Sequence, residues 1–158
     1  MNENPHVRKF YPGLLSRAET LEKIAVMKAN IETQGYGLFA AEIKDTGDFI
    51  GYIGFAHPEF ESDFTPCTEI GWRLDDRFWR RGYATEGAKA CIGLGFEKFG
   101  FGEICSFTSI HNIPSEKVML KVGMEKVGTF KHPALPADNW LSEHVLYKIK
   151  KLGVPGIC

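Results

Sequence analysis

The chain has little that would tie it to a metal, a membrane or a secreted scaffold. Its four cysteines, Cys67, Cys91, Cys105 and Cys158, contain no CxxC pair and are too sparse for a disulfide framework, so reduced thiols in a cytoplasmic protein are expected. Its five histidines are scattered, with no ligand spacing to one another or to cysteine, so no metal is expected. The N-terminal MNENPHVRKFYPG lacks an apolar signal core, and no apolar run approaches a membrane span. No membrane partner is expected. Charge of either sign is not in excess either: 19 basic against 20 acidic residues leave a net charge of −1. No global field therefore draws the chain to nucleic acid, and any anion site must be local. Two nucleotide signatures also fail. No G-x-x-x-x-G-K-[ST] occurs, and GLGFEK (93–98) puts Lys98 where a dinucleotide fingerprint needs glycine.

What is present fits one domain over residues 1–158, with no repeat, low-complexity tract or linker. Ser16 and Glu19 form a capping-box pattern before a helix that Gly35 stops, with Leu21, Ile24, Ala25 and Ile31 on one face. YGLFAAEI (36–43) and DFIGYIGF (48–55) flank KDTG as a hairpin, and CTEIGWRL (67–74) alternates as a third strand. A helix over about 84–99, a strand at 103–110, a short helix at 114–123 and two closing strands follow. An α/β (α+β) domain with a mixed sheet is predicted. FESDFTPC and KHPALPADNW are loops suited to border a site.

Between the third strand and the next helix lies DDRFWRRGYATEGA. The first N–H groups of a helix lack internal partners and carry the positive end of its dipole, so a strand–loop–helix unit can hold phosphate there. Gly82 leaves the approach open, Arg80 and Arg81 add charge, and Thr85 adds a hydroxyl. The same residues also suit a solvated loop in which Gly82 only turns the chain.

EIGWRLDDRFWRRGYATEGA, followed by HNIPSEKVMLKVGMEKVG, resembles the acetyl-CoA-dependent N-acyltransferases of the GNAT superfamily, and more narrowly the branch of ribosomal-protein N-terminal acetyltransferases. The resemblance implies a mostly antiparallel mixed sheet flanked by helices, and acetyl-CoA as cosubstrate. It implies a coenzyme A pyrophosphate loop at Trp79, Arg80, Arg81, Gly82, Tyr83, Ala84 and Thr85, with Trp79 in place of the usual Gln or Arg. It also implies an oxyanion donor among the backbone amides of Trp72, Arg73 and Leu74.

The chemistry needs an uncharged amine and a proton for the departing thiolate. Glu69, on the strand before the loop, is the expected base, and it could equally lie beside Arg73 on the same strand face. The tyrosine that many superfamily members use as acid is matched by Met119, which has no proton to give. The resemblance puts Ser115 in that role and Asn112 on the pantetheine arm, although Asn112 also suits a helix cap and Ser115 a first turn. Lys121 would lie near the adenosine phosphate. His111, His144 and Tyr147 could face the acceptor channel, or be structural.

Against the family, the usual first strand and helix are absent before NPHVRKFYP, which predicts an exposed edge strand and, through it, a homodimer. The expected function is acetyl transfer to a primary amine, on a protein N-terminus or a small molecule, by direct attack in a ternary complex. A non-catalytic acyl-CoA-binding module is the alternative. A nucleic-acid reading from Arg80, Arg81, Trp72, Trp79 and Tyr83 lacks the wider basic surface that phosphate tracking needs.

Overall fold

The structure is a computed structural model that describes residues 1–151; Cys158 lies outside the described residues. Ser16 accepts a hydrogen bond from the Glu19 N–H, and the Glu19 carboxylate accepts one from the Ser16 N–H at 2.7 Å. This capping box opens α1 (Arg17–Gln34), and Gly35, with φ 77°, closes it by donating to the Ile31 carbonyl. The expected apolar face of α1 is not buried. Leu21 and Ile24 are 56% and 45% exposed, because α1 lies beside the five-residue edge strand β1 (Leu38–Glu42), which has little surface to cover it. Only its C-terminal end approaches closely, where Ile31 packs over Gly37.

Strands β2 (Phe49–Ala56), β3 (Glu69–Leu74), β4 (Glu103–Ser109), β5 (Glu125–Lys131) and β6 (Glu143–Lys150) complete one sheet in the order β1-β2-β3-β4-β6-β5. Helix α2 (Tyr83–Glu97) carries the chain from β3 to β4, and α3 (Ile113–Lys121) carries it from β4 to β5. Every pairing is antiparallel except that of β3 with β4. A mixed α/β fold with a mostly antiparallel sheet is therefore present, and β1 stands at an edge, as predicted.

The core lies between the sheet and α2 and α3. Ile70, Ile104 and Val145 from the strands meet Ala88 and Ile92 of α2 and Met119 of α3. Residues alternate across a sheet, so Glu69, Gly71 and Arg73 share the opposite face with Tyr52, Cys105, Phe107 and His144. That second face is also covered. The 57–66 loop lays Phe60 and Phe64 against Phe107 and Phe130, and the N-terminal segment lays Tyr11 against Arg73.

Beta3 and β4 are joined at one register position, Glu69 opposite Cys105. The Cys105 N–H donates to the Thr68 carbonyl at 2.9 Å, and the Ser106 hydroxyl to the Ile70 carbonyl at 2.9 Å. Beyond Ile70 the two strands part, leaving a wedge in the middle of the sheet.

Ile70 sits where the wedge begins and is fully enclosed. Ile70→Ala is expected to cost about 2–5 kcal/mol, by lost burial and an unfilled cavity. A urea denaturation midpoint that falls at unchanged slope would show it.

Candidate active site

The loop that follows β3 is built to present main-chain N–H groups. Asp75 caps a short 3-10 turn at Asp76–Phe78, and the Trp79 indole donates to the Leu74 carbonyl at 2.8 Å, tying the loop to the strand end. Arg80 and Gly82 both adopt left-handed backbone, with φ of 61° and 89°. For Gly82 this costs little, whereas an L side chain resists it. Gly82 is the N-cap of α2 and has no side chain to satisfy the first amides. The helical ladder starts at the Glu86 N–H, bonded to the Gly82 carbonyl, so the N–H groups of Tyr83, Ala84 and Thr85 precede it at the positive end of the helix. Arg80 and Arg81 are exposed beside them and form no ion pair among the described residues. Together these residues make a positive helix end suited to phosphate oxygens.

The wedge opens toward this loop. The Asp75 N–H donates to the Ile50 carbonyl, which fixes the odd-numbered residues of β3 as those whose main chain bonds to β2. Trp72 and Leu74 therefore turn their N–H groups toward the wedge. Arg73, one of the three residues among which a backbone donor was expected, turns its N–H toward β2 instead. On the other wall the Ile110 N–H bonds to the Glu143 carbonyl, so even-numbered residues of β4 face β6 and Phe107 and Ser109 face the wedge.

Helix α3 starts at the far side of the wedge. Ser115 accepts a hydrogen bond from the Trp72 indole at 3.3 Å, which leaves its own hydroxyl proton free to donate. Asn112 is buried as the N-cap of α3: its Oδ1 accepts from the Ser115 N–H, and its Nδ2 donates to the Thr108 hydroxyl at 2.9 Å. The amide thus fastens α3 to β4. Met119 is in the core, while Lys121 is exposed in the last turn of α3.

Glu69 does not pair with Arg73. The Arg73 guanidinium stacks over Tyr11 at 3.8 Å and donates to the Asn2 side chain at 3.0 Å, both supplied by the N-terminal segment. Burial first, and the negative charge of Cys67 second, push the Glu69 carboxyl up to about 8. That value puts it near neutral pH as a proton acceptor.

Residues 1–125 match the family model described as "Acetyltransferase (GNAT) domain". The chain belongs to the GNAT acetyltransferase family. Its relatives in Bacillus subtilis (strain 168) include YkkB, 33% identical over 81% of this chain and 73% of YkkB. The N-acetyltransferase YnaD of the same organism is 32% identical over 67% of this chain and 60% of its own length. Among solved structures, a GNAT-family acetyltransferase from Bacillus anthracis superposes with a TM-score of 0.74 at 25% identity, covering 94% of this chain and 84% of that one. The acetyltransferase yncA of Salmonella typhimurium, solved with its cofactor acetyl-CoA, has the same fold at a TM-score of 0.73 and 15% identity, over 99% and 90% of the two chains.

Several features of this GNAT domain were not read from the sequence. Phe60, Phe64, Phe107 and Phe130 pack with His132 and His144 on the Glu69 side of the sheet. Burial holds both histidines below the usual imidazole range, so they are uncharged at neutral pH. The composition of FESDFTPC and KHPALPADNW flagged the loops, but not that they meet. His144 lies in this cluster, His111 lies against Trp140, and Tyr147 faces α3, donating to Glu116 at 2.7 Å. Among the described residues no histidine, cysteine or carboxylate group clusters as a metal site, and no helix is long and apolar enough to cross a membrane.

Two outcomes follow from the buried groups. A carboxyl that titrates near 8 in the fold and near 4.5 unfolded holds its proton longer in the native state, so its contribution to stability declines as pH rises from 4.5 to about 8. Denaturant titrations at intervals across that range should show this slope in the wild type and its loss in Glu69→Gln. Asn112→Ala, which removes the cap and strands the Thr108 and Ser115 partners, should cost about 1–3 kcal/mol in the same assay.

Proposed function

We propose that this GNAT enzyme transfers the acetyl group of acetyl-CoA to a primary amine, on a protein N-terminus or a small molecule, by direct attack in a ternary complex. The observation that carries the proposal is the continuity between the α2 N-terminus and the wedge: phosphate-binding amides at one end, unpaired strand amides along one wall, and a raised carboxylate at the apex.

The residues present fit the coenzyme, since Gly82 leaves the α2 amides bare and a Cβ there would stand in open space at their mouth. Arg80, Arg81, Gly82, Tyr83, Ala84 and Thr85 would hold the pyrophosphate, with Trp79 setting the loop's position. Lys121 would lie toward the adenosine phosphate. Acetyl-CoA supplies an acetyl group activated as a thioester. The N–H groups of Trp72 and Leu74 are the donors available to a carbonyl oxygen in the wedge, where charge builds during acyl transfer. Arg73 contributes through its side chain, holding the N-terminal segment over the sheet. Ser115, held by the Trp72 indole, can donate its hydroxyl proton to a leaving sulfur, and Asn112 fixes the position of Ser115. Glu69 takes the proton of the attacking amine, because a carboxylate raised to about 8 is a stronger base than an ordinary one. Reduced thiols and an uncovered β1 edge support a cytoplasmic setting and a homodimer through that edge.

Binding and chemistry can be tested apart. Acetyl-CoA at about a hundredfold excess over its dissociation constant should stabilise the protein by about 2.7 kcal/mol, raising Tm by roughly 5–10 degrees. Arg80→Glu/Arg81→Glu should abolish that shift, and a shift that survives the reversal would overturn the phosphate assignment. With an amine panel, including short peptides, transfer should rise with pH up to about 8 in the wild type. Glu69→Gln should retain the thermal shift while losing transfer and that pH limb.

A further inference from the structure

Two thiols meet at the apex of the wedge. Cys67 lies two residues before Glu69, and Cys105 is its register partner on β4. Their sulfurs are 2.6 Å apart in a thiol–thiol hydrogen bond. The main chains that carry them are already fastened, by the Cys105 N–H to the Thr68 carbonyl and by His57, whose ring contacts the Cys67 carbonyl at 3.1 Å. A disulfide sulfur separation is about 2.05 Å, so bond formation needs only a small side-chain adjustment.

The two sulfurs are not equivalent. Cys105 is buried, whereas Cys67 is half-exposed, and both line a cleft of about 320 Å³ with His57, Thr68 and Glu103. A small oxidant can therefore reach Cys67 first. The hydrogen bond from Cys105, with the Lys148 ammonium further off, holds the Cys67 thiol below the usual range, and the same bond with burial holds Cys105 above it. The more accessible Cys67 is thus placed as the attacking sulfur and the buried Cys105 as the sulfur that closes the bond. Cys91, by contrast, sits alone on α2 with its thiol pushed up by burial.

We propose that Cys67 and Cys105 are a redox-active dithiol, oxidised by hydrogen peroxide to a disulfide that ties β3 to β4 where the strands part, and restored by a small dithiol. The Cys67 thiolate attacks a peroxide oxygen, the O–O bond breaks, and hydroxide leaves while Cys67 becomes the sulfenic acid. The Cys105 sulfur then attacks the Cys67 sulfur, the S–O bond breaks, and the departing hydroxide takes the Cys105 proton as water. Two thiols lose two electrons and one peroxide becomes two waters. Reduction by a dithiol reverses the change, and the dithiol leaves as its own disulfide. The cross-link fixes the hinge of the wedge and removes the thiolate charge that faces Glu69. None of this depends on the acceptor, or on acetyl transfer.

The test is thiol mapping on the full chain. Protein reduced with dithiothreitol and desalted is exposed to a few equivalents of hydrogen peroxide, alkylated in denaturant, digested and weighed. The expected product is one linked peptide pair joining Cys67 to Cys105, two hydrogens lighter than its parts and absent after dithiothreitol. Cys105→Ser should lose the link and leave Cys67 as a sulfenic acid that dimedone captures. Cys67→Ser should leave Cys105 fully alkylated. Alkylation of both thiols while Cys91 is oxidised, a Cys67 sulfinic acid without a link, or a link through Cys91 or Cys158 would each overturn the proposal. Because mapping needs no acceptor, a failed transfer assay leaves it standing, and a missing link leaves the transferase reading standing.

Discussion

The structure depends on the single pairing of β3 with β4. A strand inside a sheet normally gives up its main-chain hydrogen bonds on both sides, because a buried N–H without a partner is costly. Here β3 keeps its bonds to β2 along its length but shares only the Glu69–Cys105 position with β4. The sheet survives because α2 and α3 cover the core face, because the Ser106 hydroxyl ties β4 to the Ile70 carbonyl of β3, and because the Trp72 indole ties β3 to Ser115 of α3. What the parting gives up in ladder bonds becomes a row of available donors in the one place where a buried ligand can lie between two halves of a sheet.

Proton chemistry follows from the same arrangement. Glu69 is at the closed end of the wedge, where burial favours its neutral form, and Ser115 is across the gap, held through the Trp72 indole. In the reaction proposed above, a carboxyl and a hydroxyl so placed would act on different atoms. Met119 is in the core and has no proton to give, so Ser115 is the one hydroxyl that α3 carries.

Much of this was legible because the signals are local. Ser16 with Glu19, Gly35 and Gly82 each act within one helical turn, and the structure has all three in the expected geometry. The turn that opens α2 at Gly82 was legible for the same reason. Relations across distance were not. The partner of Arg73 is Tyr11, about sixty residues earlier in the chain, and nothing in the EIGWRL alternation favours it over Glu69. The direction of the Arg73 N–H depends on which residues of β2 already bond to β1. The approach of Cys67 to Cys105 depends on a parallel register that spans a whole helix crossover. The exposed apolar residues of α1 show the converse: periodicity found the helix, but the burial of its face depended on the width of the neighbouring strand.

Position 80 shows how far local comfort has been set aside. The backbone there is left-handed, a conformation natural to glycine and uncomfortable for arginine, in a turn where glycine already serves two residues later. The charge that arginine brings beside the start of α2 therefore comes at a cost in backbone energy. The residue best for folding and the residue best for holding an anion are therefore different, and drift under selection for stability alone would move this site toward glycine or asparagine.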